Sequence, residues 1–281
     1  MIRSIKIEIW KATHNFYFYM AFVLGTIIAL LDVIQNAFSV AELYTSSIEL
    51  GTIVNGIGYK MLNRWIAVNG STIAFRFYVL LWPILASLPF SWSFHQELHC
   101  SIRNQYICRL GRKHYYLSKF IAIVLMGGFS TTWPLILDIF FISTFCPNLI
   151  PSIFEMQTTL SSGWYLSQIY YSKPLLFIIL WTVTSFLQGS AVASIALLAS
   201  SKVKNPVYIV LFPFLVIEGL DAIGNTALSL VNWPFEKSIL MLGVAGTFSP
   251  SPAWMHWIII VLFSSLSITL GYRRWVRNEL I

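Results

Sequence analysis

The chain has 281 residues, of which 57% are apolar and only 10% charged, and its mean hydropathy is +0.72. Soluble domains carry about 45–50% apolar and about 25% charged residues, so both fractions are displaced toward lipid. Six crossings of about 20 residues each would use roughly 120 of roughly 160 apolar residues, which excludes a cytosolic enzyme, a nucleic-acid binder and a secreted disulfide scaffold.

The net charge of +7 fits the Lys and Arg that accumulate on cytoplasmic flanks of membrane helices. Cys100, Cys108 and Cys146 suggest neither a bridge nor a zinc site. In residues 1–15, Ile2, Ile5, Ile9, Ala12 and Phe16 recur at three- and four-residue steps, with Arg3, Lys6 and Lys11 off that stripe. This predicts an interfacial helix in the cytoplasmic headgroup layer, although an ordinary basic flank has the same composition. A cleaved signal peptide ending at Ser39-Val40-Ala41 is disfavoured, because Phe16–Leu31 is long for its apolar core.

Apolar runs able to reach across a bilayer occur at 16–34, 73–94, 117–145, 174–200, 206–230 and 254–272. The expected fold is an all-α integral membrane protein, a single domain over 1–281 with six transmembrane helices. Pro174 and Pro206 suit helix starts, and Pro83 with Pro89 predicts a kink in the second run. In the fourth run Gly189 and Ala193, and Ser190 and Ser194, stand four apart, a pattern that lets helix backbones approach. Residues 35–72 and 146–173 read as polar outer loops. The segment 231–253 holds Ile239–Ala245, too short to cross, and reads as a re-entrant outer element or a loop packed on the outer helix ends.

Orientation follows from the basic residues. Thirteen fall on one side, in the groups at Arg3–Lys11, Arg103–Lys119, Lys202–Lys204 and Arg273–Arg277, against Lys60, Arg64, Lys173 and Lys237 on the other. This predicts a multi-pass plasma-membrane protein with both termini in the cytoplasm. The longest cytoplasmic link, 95–116, repeats Leu98, Ile102, Tyr106 and Leu110 every four residues among Arg103, Arg109, Arg112 and Lys113. A short amphipathic helix of this kind must lie on the membrane or in a groove of a partner.

Glu97-Leu98-His99-Cys100-Ser101-Ile102-Arg103-Asn104, followed by Arg109-Leu110-Gly111-Arg112-Lys113 and Leu117-Ser118-Lys119, resembles the second-to-third-span link of type-2 ABC exporter permeases. Ser101-Ile102 stands where Gly-Thr is frequent, and Arg112 directly follows Gly111. Ile7-Glu8-Ile9-Trp10-Lys11 is similar to the family's N-terminal interfacial helix. The resemblance implies that two permease chains, identical or not, form one pathway. It also implies that the 95–116 segment is a coupling helix docking on a separate cytoplasmic ATP-binding subunit. The coupling residues would then be Glu97, Ile102, Arg103, Asn104, Arg109, Gly111 and Arg112; alternatively the basic ones only fix topology. No G-x-x-x-x-G-K-[ST] run is present, so ATP and Mg belong to the partner and this chain has no cofactor of its own. Family members export peptides, drugs, lipids and glycans.

Asp32, Arg76, Asp138, Glu218 and Asp221 fall within the predicted spans, where ionisable groups are costly and point to function. A rise of about 1.5 Å per residue puts the first three about 24–31 Å above the cytoplasmic ends, Asp221 about 22 Å and Glu218 about 18 Å. This predicts a polar outer vestibule on the translocation pathway, in which Arg76 pairs with one carboxylate and the rest face a solvated exit. An acidic vestibule would suit cationic or amphipathic cargo such as an antimicrobial peptide. The alternative for Asp32, Arg76 and Asp138 is that they reach the outer headgroups.

His95-Gln96-Glu97-Leu98-His99 differs from H-E-x-x-H by the place of its Glu, about 100° away on a helix, and no G-x-S-x-G turn occurs. Neither a catalytic residue nor a metal site is expected. The competing function is a self-sufficient membrane protein, either an ion-coupled carrier using Glu218 and Asp221 or a membrane-embedded lipid-modifying enzyme.

Overall fold

The structure, a computed structural model, describes residues 2–49, 60–99, 102–146, 150–151, 166–200, 203, 205–230 and 253–272. Every regular element among them is a helix: α1 (Ile2–Thr13), α2 (Phe16–Glu49), α3 (Met61–Arg64), α4 (Ile73–Ser87), α5 (Ser93–His99) and α6 (Ile102–Leu110). They continue as α7 (Arg112–Ile142), α8 (Ser167–Ser172), α9 (Pro174–Ala199), α10 (Pro206–Leu230) and α11 (Ala253–Tyr272).

Among the described residues, three stretches are long and apolar enough to cross a membrane: Phe16–Glu42 of α2, with 27 residues, α7 with 31 and α9 with 26. The apolar helices Ile73–Ser87, Pro206–Leu220 and Ile260–Thr269 are shorter. Val23, Ile27 and Ile34 of α2, Phe129, Ile136 and Phe140 of α7, and Leu175, Ile179 and Val183 of α9 are exposed. A belt of large apolar side chains of this extent fits lipid rather than water. The chain is a candidate multi-pass helical membrane protein.

The runs at 174–200, 206–230 and 254–272 coincide with α9, α10 and α11 to within a residue. The second run does not continue to 94. Pro89 has no N–H and its ring opposes the preceding helical turn, so α4 stops at Ser87, the chain turns through 88–92, and α5 begins at Ser93. Pro83 is accommodated inside α4, whose start is capped by the Thr72 hydroxyl accepting from the Phe75 N–H at 3.2 Å. The 95–116 link is likewise divided, into α5, α6 and the first turn of α7. Gly111 makes the break between α6 and α7 with φ 76° and ψ 148°, a conformation that favours glycine.

The expected polar loop at 35–72 is corrected by the structure. Its first part continues α2 to Glu49, and its last part folds inward. Leu62, Trp65, Ile66, Ala67 and Val68 are at most 1% exposed. These apolar residues are too few to span a bilayer, so they lower their free energy by capping the bundle between α2 and α7. The element expected at 231–253 and the basic group Arg273, Arg274 and Arg277 lie outside the described residues.

α7 is the central helix and packs on α9, α2, α1, α4 and α6. Its contact with α9 rests on small residues: a Cβ on Gly127 would fall on Ala193 Cβ and lie 2.7 Å from the Ala86 carbonyl oxygen. Hydroxyls join the helices where lipid offers no hydrogen bonds. Ser190 Oγ donates to Val124 O at 2.9 Å, Ser130 Oγ to Leu85 O at 2.6 Å, Tyr78 OH to Thr131 O at 2.9 Å and Ser87 Oγ to Val210 O at 2.7 Å. Gly189, Ser190, Ala193 and Ser194 thus stand at helix contacts, as their spacing predicts.

Candidate functional site

Two buried polar clusters stand at opposite ends of the α2–α7 pair. The first lies at the end where α1, α5 and α6 meet α7. Lys119 of α7 is fully buried, and its Nζ donates to Glu8 Oε2 of α1 at 2.8 Å and to Glu97 Oε1 of α5 at 2.7 Å. Lys11 Nζ bridges the same carboxylates, at 3.2 Å from Glu8 Oε1 and 3.1 Å from the Glu97 Oε1 that Lys119 also holds. Tyr115 OH donates to Glu97 Oε2. The two ammonium groups also rest on aromatic faces, Lys11 over Tyr106 of α6 at 4.3 Å and Lys119 over Phe90 at 4.9 Å. Two positive and two negative charges cancel, which is what permits their burial.

The electrostatics follow from that arrangement. Burial alone would raise the Glu97 carboxyl, but Lys119, the Tyr115 hydroxyl and Lys11 outweigh it and hold Glu97 below the usual carboxylate range. Burial would lower the Lys11 ammonium, yet Glu8 and Glu97 outweigh it and hold Lys11 above its ordinary value. Both groups are ionised at neutral pH.

This cluster changes the reading of α1. The sequence stripe runs through Ile2, Ile5, Ile9, Ala12 and Phe16; the structure buries Ala12, half-buries Ile5 and Ile9 and exposes Phe16, and it buries Ser4 and Glu8 as well. Ile7 and Trp10 are exposed. The reason is Lys119, whose buried charge draws Glu8 inward. Sequence reasoning did not single out Glu8, Lys11, Tyr115 or Lys119 as site residues. A signal was present, since Lys119 falls inside the run 117–145 and an ionisable group there requires a partner.

Of the expected coupling residues, Glu97 is half-buried in the cluster, Arg109 and Arg112 are exposed beside exposed Lys113, and Gly111 forms the turn between their helices. Ile102, Arg103 and Asn104 lie in α6, with side chains outside the described set.

The second cluster lies under the 60–72 cap. Asp32 of α2 and Asp138 of α7 are both fully buried. Asn36 Nδ2 donates to Asp32 Oδ2 at 2.7 Å and to the Arg64 carbonyl at 3.1 Å, and Asn69 Nδ2 donates to Asn36 Oδ1 at 3.1 Å. The Ile66 N–H donates to Asp138 Oδ2 at 2.8 Å, and Trp65 Nε1 to the Leu135 carbonyl at 3.0 Å. The expected solvated vestibule is therefore not the environment of this pair, because the apolar residues of the cap enclose it. Arg76 is exposed on α4, and no ion pair among the described residues joins it to a carboxylate. Glu218 is half-buried in α10, and the side chain of Asp221 lies outside the described set. The structure thus brings Asp32 and Asp138 together and does not bring Arg76 to them. Comparison with protein-family models, with curated proteins and with solved structures gives no match to this chain.

Proposed function

We propose that the chain is the membrane-spanning permease subunit of an ATP-driven exporter of the type-2 ABC class. In this reading it crosses the membrane six times, pairs with a second permease chain and moves a peptide, drug or lipid-like substrate outward. A separate cytoplasmic subunit hydrolyses the ATP. The supporting observation is the mounting of the basic link. α5, α6 and the start of α7 are tied to α1 by the Glu8–Lys11–Glu97–Lys119 cluster, while Arg109, Arg112 and Lys113 remain exposed at the turn. A rigid base with an exposed cationic tip suits a lever that meets an acidic rim on a moving partner.

The test is capture of the tagged chain from its native membrane. Vanadate-sensitive ATP hydrolysis should accompany it, and should be lost from the Arg109→Glu, Arg112→Glu double variant without a change in thermal stability. Uphill transport driven by an ion gradient in vesicles holding this chain alone would overturn the reading. The second reading, an ion-coupled carrier, draws on the enclosed carboxyls Asp32 and Asp138, and the same vesicle experiment decides for it.

A further inference from the structure

Asp32 and Asp138 carry chemistry that the exporter reading does not use. Each is 0% exposed; Asp32 Oδ2 accepts from the Asn36 amide, with the Thr72 hydroxyl a second donor beside this carboxyl, and Asp138 Oδ2 accepts from the Ile66 N–H. The Oδ1 of each is buried and accepts no hydrogen bond. The two carboxyls also lie close enough to act on one another directly. A buried acceptor without a donor is costly, and two enclosed carboxylates side by side repel strongly. Both costs vanish together if one carboxyl is protonated and donates to the other.

Among the described residues, Arg64 of the cap is a cation that acts on Asp32. Asn36, Asn69 and Thr72 are neutral, and Lys60 is turned to the Ile150 carbonyl at 2.7 Å. Cys146, the titratable group beside Arg64, is pushed up by burial and stays a neutral thiol. One shared proton removes one of the two like charges from this enclosed site, where an uncompensated charge is costly.

We propose that Asp32 and Asp138 form a proton-binding site that holds one proton in common, and that this proton is a condition for the 60–72 cap to close on α2 and α7. The cap depends on it because the Ile66 N–H and the Arg64 carbonyl are both anchored at the pair, the second through Asn36. Loss of the proton sets two like charges against each other directly beneath these anchors. The ligand is a proton rather than an alkali cation: two oxygens are left over, enough to share a proton and too few to replace the hydration shell of a metal ion. The inference stands apart from the exporter reading and from its test.

Infrared spectroscopy of the full-length protein in lipid nanodiscs tests the site. At neutral pH the wild type should show a protonated-carboxyl stretch that disappears in Asp32→Asn and equally in Asp138→Asn, since either amide supplies the donor and leaves the remaining carboxylate ionised. Absence of the band in the wild type would overturn the proposal, as would a band that each single variant merely halves. So would a wild-type band seen only when sodium and potassium are replaced by a bulky organic cation. The cap is read by Cys146, buried beside Arg64, in a Cys100→Ser, Cys108→Ser background. Its labelling by a membrane-impermeant maleimide should rise several-fold more steeply with pH than in Asp138→Asn. Equal slopes would sever the proton from the cap.

Discussion

Lys119→Met is the sharpest perturbation of the α1–α7 junction. The methionine keeps most of the side-chain volume and the contact with Phe90, and removes only the ammonium. That ammonium is fully buried and holds two carboxylate oxygens at 2.7 and 2.8 Å. Without it Glu8 and Glu97 share one remaining cation, Lys11, whose side chain is 26% exposed and bonds each carboxylate at 3.1–3.2 Å. Removing one partner from a buried ion pair costs about 3–5 kcal/mol, because the other charge stays buried and uncompensated. Against a total stability of about 5–15 kcal/mol, that is a large fraction. Titration from mild to denaturing detergent, followed by tryptophan fluorescence, measures the loss. The decisive control is the double variant Lys119→Met, Glu8→Gln. If the cost is an orphaned carboxylate, neutralising Glu8 restores stability, with a coupling energy of about 0.5–3 kcal/mol between the sites. Additive losses, or a loss under about 1 kcal/mol in the single variant, would refute the cluster as a stabilising unit.

Two further outcomes follow from the structure. Because Glu97 is held below the usual carboxylate value, the folded protein binds fewer protons there than the unfolded chain; its contribution is complete above about pH 4.5 and is lost as pH falls below it. Melting temperature against pH should therefore drop more steeply on the acid side in wild type than in Glu97→Gln, and parallel curves would count against the assignment. Gly189→Val places a branched side chain where even a Cβ would meet Thr131 Oγ1 and lie 2.9 Å from its Cγ2, and should cost about 1–3 kcal/mol or more by overpacking, measured in the same detergent titration. Gly219→Ala, with nothing within 4 Å of the added atom, is the matching substitution that should change little.

Composition and apolar run length made the helical class legible, and three of the six runs give helices with the expected bounds. Runs fail where one residue outweighs an average. Pro89 ends α4 in a stretch, 77–94, that holds no charged residue, because the missing N–H is a property of the backbone rather than of polarity. The cap is the opposite case. Lys60, Asn63, Arg64 and Asn69 make 60–72 look solvated, yet Lys60 Nζ is met by the Ile150 carbonyl and Asn63 Oδ1 by the Tyr170 hydroxyl. Such pairings join residues about 90 to 107 positions apart and leave no local periodicity to read. Asp32 and Asp138 were legible as intramembrane charges. Their partnership was not, since it depends on the tertiary contact of α2 with α7.

The two clusters together constrain how the protein can move. On α7, Lys119 and Asp138 are separated by about 28 Å of helix, close to the thickness of a hydrocarbon core of about 30 Å. On the facing side Glu8 and Asp32 belong to α1 and α2, which are joined only by the turn at His14-Asn15. The same helical unit is therefore fastened to α7 at both ends. A slide of one helical turn, about 5.4 Å, would break the Lys119–Glu8 bond and shift Asp32 away from Asp138 in the same step. Between these ends Gly25 faces Pro134, with only 3.3 Å to the atom its Cβ would meet, so rotation is resisted as well. The unit of α1, α2 and α7 is thus a strut between the basic link and the cap. In the exporter proposed above it would carry a displacement of that link to the cap, and opening would fall to helices outside it: α10, which packs on α4 and α9 and bears Glu218, and α11, which packs on α9.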